Sequence, residues 1–207
     1  MRGALKSFQW PLFVTLTMEN SESPESVREL RRAFGRFRNR RLWKESVKGG
    51  VAAIEVTNKG NGWHPHLHAL VDCEWLSVHC PPPHPRESEA DKKRKFEYAR
   101  RELSATWADV LGQETAVVLA TRAHGEQTVK EVLKYSIKGS ELIEVKGEIA
   151  PMLRILEMTR LITTFGSLYG KTKELDALDD SKPPACEECK STGTMLPEQV
   201  IQYLIRS

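Results

Sequence analysis

The chain has 207 residues, 40% hydrophobic and 29% charged, with a formal net charge of +3. That is the composition of an ordinary soluble protein, long enough for one cored domain with an appendage. No run of about 18 apolar residues reads as a membrane span, and no secretory signal follows Met1, so a cytoplasmic protein with no membrane partner is expected.

Residues 10–18 read as a first strand. Pro24 stands where a helix can start, and a basic helix is predicted to run to about Lys44. Between residues 28 and 48, nine cations face only Glu29 and Glu45, while Leu30, Phe34, Phe37 and Trp43 form an apolar side. Such a helix is either a solvated surface or a phosphate-facing one. The charge imbalance favours the second, with Arg28, Arg31, Arg32, Arg36, Arg38, Arg40 and Arg41 as candidate nucleic-acid contacts.

Gly49-Gly50 is expected to end that helix. Residues 51–57 and 63–71 read as strands joined by the turn Asn58-Lys59-Gly60-Asn61-Gly62, hence a hairpin. The prolines at 81–83 and 85 mark a loop, and a charged helix is expected over residues 87–111. The basic block Lys92–Lys95 with Arg100 and Arg101 is mixed with acids and reads as that helix's solvated face. Residues 114–121 favour a strand; 128–138 and 151–163 favour helices; 198–205 favour a short terminal helix. The pattern predicts an α+β fold, a central antiparallel β-sheet flanked by helices, with the 63–71 strand near its centre. The main domain is placed at 1–175 and an irregular extension at 176–207.

The segment Gly62-Trp63-His64-Pro65-His66-Leu67-His68-Ala69-Leu70-Val71 is the most informative. Strand side chains alternate, so His66 and His68 share one face and Leu67, Ala69 and Val71 the other. Two adjacent imidazoles make half of a metal site; structural histidines fit the same pattern. His64 is the reserve ligand if the strand starts early enough, although Pro65 is a residue of strand starts and edges. Glu55, on the other hairpin strand, is a third ligand or an exposed carboxylate. Mixed nitrogen and oxygen donors suit Mn²⁺ or Mg²⁺ and can hold Zn²⁺. On a wheel of residues 128–138, Val129, Val132, Leu133 and Ile137 form one side, with Glu131, Tyr135 and Lys138 together on the opposite one.

Four segments in order resemble the HUH endonucleases, where U is hydrophobic, and more closely the single-tyrosine replication initiators of rolling-circle plasmids. Phe13-Val14-Thr15-Leu16-Thr17 is similar to the family's first motif, and Ala53-Ile54-Glu55-Val56-Thr57 to the strand before the histidines. His64-Pro65-His66-Leu67-His68 is similar to the HUH motif, and residues 131–138 to the tyrosine helix. The resemblance implies that Tyr135 attacks a DNA phosphodiester, takes the 5′ phosphate and frees a 3′ hydroxyl for priming. It implies a divalent ion at His66 and His68, stabilisation of phenolate or phosphate by Lys138, and activation of water by Glu131. Glu131 is equally a surface residue paired with a lysine. The implied partners are single-stranded or hairpin DNA at a replication origin and the host helicase and polymerase.

Cys186-Glu187-Glu188-Cys189 has the spacing of half a structural zinc site. Cys80 with His84, or Cys73 with Cys80, would complete it if the tail folds back. Gly166-Ser167-Leu168-Tyr169-Gly170-Lys171-Thr172 has three residues between its glycines where a phosphate-binding loop needs four, and the segment before it reads as helix, so no ATPase is expected. The rivals are another HUH branch, transposase or relaxase; a histidine-triad nucleotide hydrolase or transferase, which Pro65 and the tyrosine helix oppose; and a non-enzymatic DNA-binding protein.

Overall fold

The computed structural model describes residues 8–58, 60–123 and 149–170. In chain order these form β1 (Pro11–Thr17), α1 (Ser26–Arg38), α2 (Arg41–Ser46), β2 (Gly49–Asn58), β3 (Trp63–Asp72), α3 (Glu89–Leu111), β4 (Val118–Arg122), α4 (Ile149–Glu157) and β5 (Ile162–Gly166). The strands make one five-stranded sheet in the order β4-β1-β3-β2-β5, and every pairing is antiparallel. This is the predicted α+β architecture, with the histidine strand β3 at the centre.

Alternation divides the sheet into two unlike faces. Leu12, Val14 and Leu16 of β1, Ala52, Ile54 and Val56 of β2, and Leu67, Ala69 and Val71 of β3 belong to the main core. The same core takes Val27, Leu30, Phe34 and Phe37 of α1, Trp43 of α2, Leu103 and Trp107 of α3, and Met152 of α4. The helices therefore cover one face. Aromatic edges lock them there, with Trp107 on Phe37 at 5.3 Å and Phe34 on Phe165 at 5.8 Å between ring centroids. The opposite face carries Phe13, Thr15, Glu55, His66 and His68, and beside them a smaller apolar cluster of Phe8, Val51, Ala53, Leu70 and Leu168.

Three expectations need correction. The basic helix is two helices: Asn39 closes α1 and Arg40 is extended (φ −69°, ψ 149°), so α2 starts in a new direction. Gly49 and Gly50 begin β2 instead of ending the helix. A Cβ at Gly50 would lie 2.4 Å from the Leu70 carbonyl oxygen, so the strands approach too closely for any other residue there. The segment before Gly166 is strand β5, whose β-branched Ile162, Thr163 and Thr164 outweigh the helical spacing that precedes them. Pro65 sits inside β3, within the strand expected over residues 63–71. Trp63 exchanges both backbone hydrogen bonds with Ser21, at 2.7 and 2.9 Å. By alternation Pro65 turns its nitrogen to that same side, beyond Thr17 where β1 has ended, so no ladder donor is lost.

The expected helices over 128–138 and 198–205 and the irregular segment 176–194 lie outside the described residues.

Candidate active site

Pairing sets which side chains meet. Across the hairpin Glu55 is opposite His66, Ala53 opposite His68 and Thr57 opposite His64; on the other side Thr17 is opposite His66 and Thr15 opposite His68. Because β3 begins at Trp63, all three histidines share one face. Their rings follow one another along the strand, with centroids 4.2 Å apart for His64 and His66 and 6.1 Å for His66 and His68.

Glu55 does not settle on its direct neighbour. It reaches diagonally, and His68 Nε2 lies 2.9 Å from its Oε2. Diagonal pairs across a strand are within reach of long side chains. Both residues are buried, at 9% and 8% exposure, so the hydrogen bond offsets what would otherwise be a costly buried carboxylate. On the far side of the ring, His68 Nδ1 is 3.1 Å from Thr15 Oγ1. Phe13 stacks on His68 at 5.7 Å with the planes 16° apart. His68 is thus held at both nitrogens and on one ring face.

The donor chemistry of this cluster fits a divalent ion. Two adjacent ligands of an octahedral ion, each about 2.1 Å from it, are about 3 Å apart, which is the spacing between Glu55 and His68. A ligating histidine is usually oriented through its other nitrogen, the part Thr15 plays here. Among the described residues no three His, Cys, Asp or Glu side chains converge tightly enough to form a ready-made metal group. What the strands bring together is a close pair, Glu55 with His68, and next to it His66 and His64.

Thr15 and Asn20 escaped the sequence reading. Thr15 carries the same period-two signal as the histidines and lies in the segment similar to the first motif. Asn20, whose Oδ1 meets His64 Nδ1, follows the strand and has no periodic signal.

The arginines of α1 and α2 lie on the helical side of the sheet, away from the histidine face. Most have partners within the protein. Arg28 pairs with Glu25 at 2.8 Å, Arg40 with Asp109 at 2.5 Å and Arg41 with Glu45 at 2.7 Å. Arg36 donates to the Val110 carbonyl at 3.0 Å. Arg38 lies over the rings of Phe34 and Phe165, where partial burial lowers its pKa. Arg31 and Arg32 are exposed and have no ion pair or hydrogen bond among the described residues.

Tyr135, Glu131, Lys138, Cys186 and Cys189 lie outside the described residues. Of the remaining zinc candidates, the Cys80 thiol donates to the Pro81 carbonyl, and His84 accepts from the Arg86 amide at 3.2 Å. Cys73 is in the core, where burial pushes its thiol up to about 12. Tyr98 of α3 is 48% exposed.

No helix among the described residues is long and apolar enough to cross a membrane. No curated protein and no solved structure matches the chain. Residues 4–75 match the family model described as Rep_1, replication protein. The matched segment holds β1, Glu55 and the three-histidine strand, and it ends before Tyr135. Over those residues the chain is similar to this family of replication proteins.

Proposed function

We propose that this protein is a metal-dependent, sequence- or structure-specific DNA endonuclease and strand transferase that initiates rolling-circle replication through a 5′-phosphotyrosine at Tyr135. The observation that carries the proposal is Glu55 drawn 2.9 Å from His68 on the central strand of a chain similar to replication proteins. His66, His68 and Glu55 would hold the ion, with His64 beside them. When bound, Mn²⁺ or Mg²⁺ supplies a Lewis acid for the scissile phosphate.

The chain's own residues do the rest. The Tyr135 oxygen forms a bond to phosphorus as the bond to the 3′ oxygen breaks. The departing electron pair stays on that oxygen, which takes up a proton to become the 3′ hydroxyl. The phenol's proton must leave, because its ordinary pKa is about 10; Lys138, three residues on in the sequence, stabilises the phenolate. Glu131 activates water to release the protein at the end of the cycle. The new 3′ end primes a host polymerase, and a host helicase opens the duplex at the origin. A structural Zn²⁺ at Cys186, Cys189, Cys80 and His84 is a separate expectation, tested by metal analysis of the purified protein.

Nicking of an origin-derived single strand should stop in excess chelator and return with Mn²⁺ or Mg²⁺. Full activity in chelator would overturn the proposal.

DNA contact by the basic helix falls first to Arg31 and Arg32, the exposed pair with no ion pair or hydrogen bond among the described residues. Replacing both with alanine should flatten the dependence of log affinity on log salt by up to about two units. An unchanged slope would make α1 a solvated surface.

A further inference from the structure

We infer that Asn20 is a positioning residue that holds His64 in the tautomer whose Nε2 carries the lone pair, making His64 a ligand-ready member of the site. The inference rests on the metal-dependent reading above and deepens it.

The argument starts in the backbone. Thr17 is opposite His66, and the next bridge pairs Ser21 with Trp63. Four steps along one segment therefore match three along β3. One extra residue is accommodated between Thr17 and Ser21, as in a β-bulge. With Ser21 opposite Trp63, the residue opposite His64 is Asn20; without the extra residue it would be Glu19. Gly62 permits this approach. Its φ of +84° belongs to the left-handed region, and a Cβ there would stand 2.9 Å from the Ser21 carbonyl oxygen.

The hydrogen bonds then assign the atoms. Asn20 Nδ2 donates to the Asn61 carbonyl oxygen at 2.9 Å. A carbonyl only accepts, so the amide nitrogen must be on that side and Oδ1 must face His64. Oδ1 in turn only accepts. His64 Nδ1, its partner, therefore carries the proton. In the neutral ring the lone pair is then on Nε2, the form in which imidazole binds a metal through that atom.

His68 is set differently. Its Nε2 faces a carboxylate, so without a metal that nitrogen holds the proton and donates to Glu55, while the Thr15 hydroxyl donates to Nδ1. Ligation through Nε2 requires the proton at Nδ1 instead, and the Thr15 hydroxyl can accept it because a hydroxyl is both donor and acceptor. His64 needs no such exchange. An asparagine amide, locked by Asn61, permits one tautomer where a threonine permits two.

The test uses the full chain labelled with ¹⁵N-histidine, with ring-nitrogen correlation spectra recorded without metal at a pH where the rings are neutral. Wild type should show His64 protonated at Nδ1. Asn20→Leu should move His64 wholly or partly to the Nε2-protonated form and weaken Mn²⁺ binding about 10–100-fold. Asn20 is exposed, so the core is not disturbed by its replacement. Asn20→Asp keeps an acceptor at the same place and should retain the Nδ1 proton, with Mn²⁺ affinity at least that of wild type. His64 protonated at Nε2 in wild type would overturn the inference. So would an Asn20→Leu protein whose tautomer or Mn²⁺ affinity is unchanged. If wild type and His68→Ala alike take up no Mn²⁺, the metal reading itself fails, and the ring-nitrogen comparison still decides what Asn20 does.

Discussion

Tyr135→Phe is expected to abolish the covalent protein–DNA adduct and to lower nicking by at least about 10³-fold. The substitution removes one oxygen and leaves the ring, so fold and DNA affinity should be retained. The measurement is a denaturing gel of protein incubated with a labelled single strand, followed by peptide mapping of the adduct. Mapping matters because other tyrosines are accessible: Tyr98 is 48% exposed and Tyr169 is 80% exposed. An adduct on either, or one that survives in Tyr135→Phe, would end the assignment. Glu131→Ala separates the two halves of the cycle. It should still form the adduct and release it slowly, since its proposed task is to activate the water that resolves the bond. If Glu131 is only a surface partner of a lysine, adduct formation and release should both match wild type.

The second large effect is at His68, where site and stability are coupled. His68→Ala should lose nicking and Mn²⁺ binding, and should also lower stability by about 1–3 kcal/mol, because it leaves the Glu55 carboxylate buried without its partner. Urea denaturation reads the second loss directly. Glu55→Gln separates the effects. Its amide oxygen can still accept from His68 Nε2, so stability should stay near wild type. Its charge is gone, so Mn²⁺ affinity should fall by about 10-fold or more. A Glu55→Gln protein that binds Mn²⁺ as wild type does would remove Glu55 from the ligand set. Replacing His66, which is only partly buried, should affect Mn²⁺ binding with a smaller stability loss than replacing His68. Loss of DNA affinity should accompany none of these variants, since backbone contacts by basic residues supply most non-specific binding.

Much of this was legible in the chain because it depends on local rules. Alternation alone put His66 and His68 on one face and Leu67, Ala69 and Val71 on the other. A glycine-rich turn alone implied the hairpin that carries Glu55 to them. Ser88 caps α3 by accepting from the Asp91 amide at 3.2 Å, so the helix starts at Glu89, two residues later than expected. Where the expectations failed, short-range signals competed. Glycines that usually end a helix began a strand, because their use there is to admit the Leu70 carbonyl from another strand. The helical spacing around Met152 and Ile155 was carried too far into β5.

Only the tertiary structure decided which atoms meet. The strand register sets Glu55 opposite His66, yet its carboxylate bonds diagonally to His68; no periodicity in one segment contains that choice. The extra residue after Thr17 puts Asn20 opposite His64 and moves Glu19 away, a result of how two separated segments pair. The side of the sheet on which α1 packs places its arginines away from the histidines, a choice that neither segment's own pattern contains. Periodicity is a property of neighbours in the chain, whereas register, the choice of sheet face and hydrogen-bond partnership are properties of segments brought together by burial of a shared core.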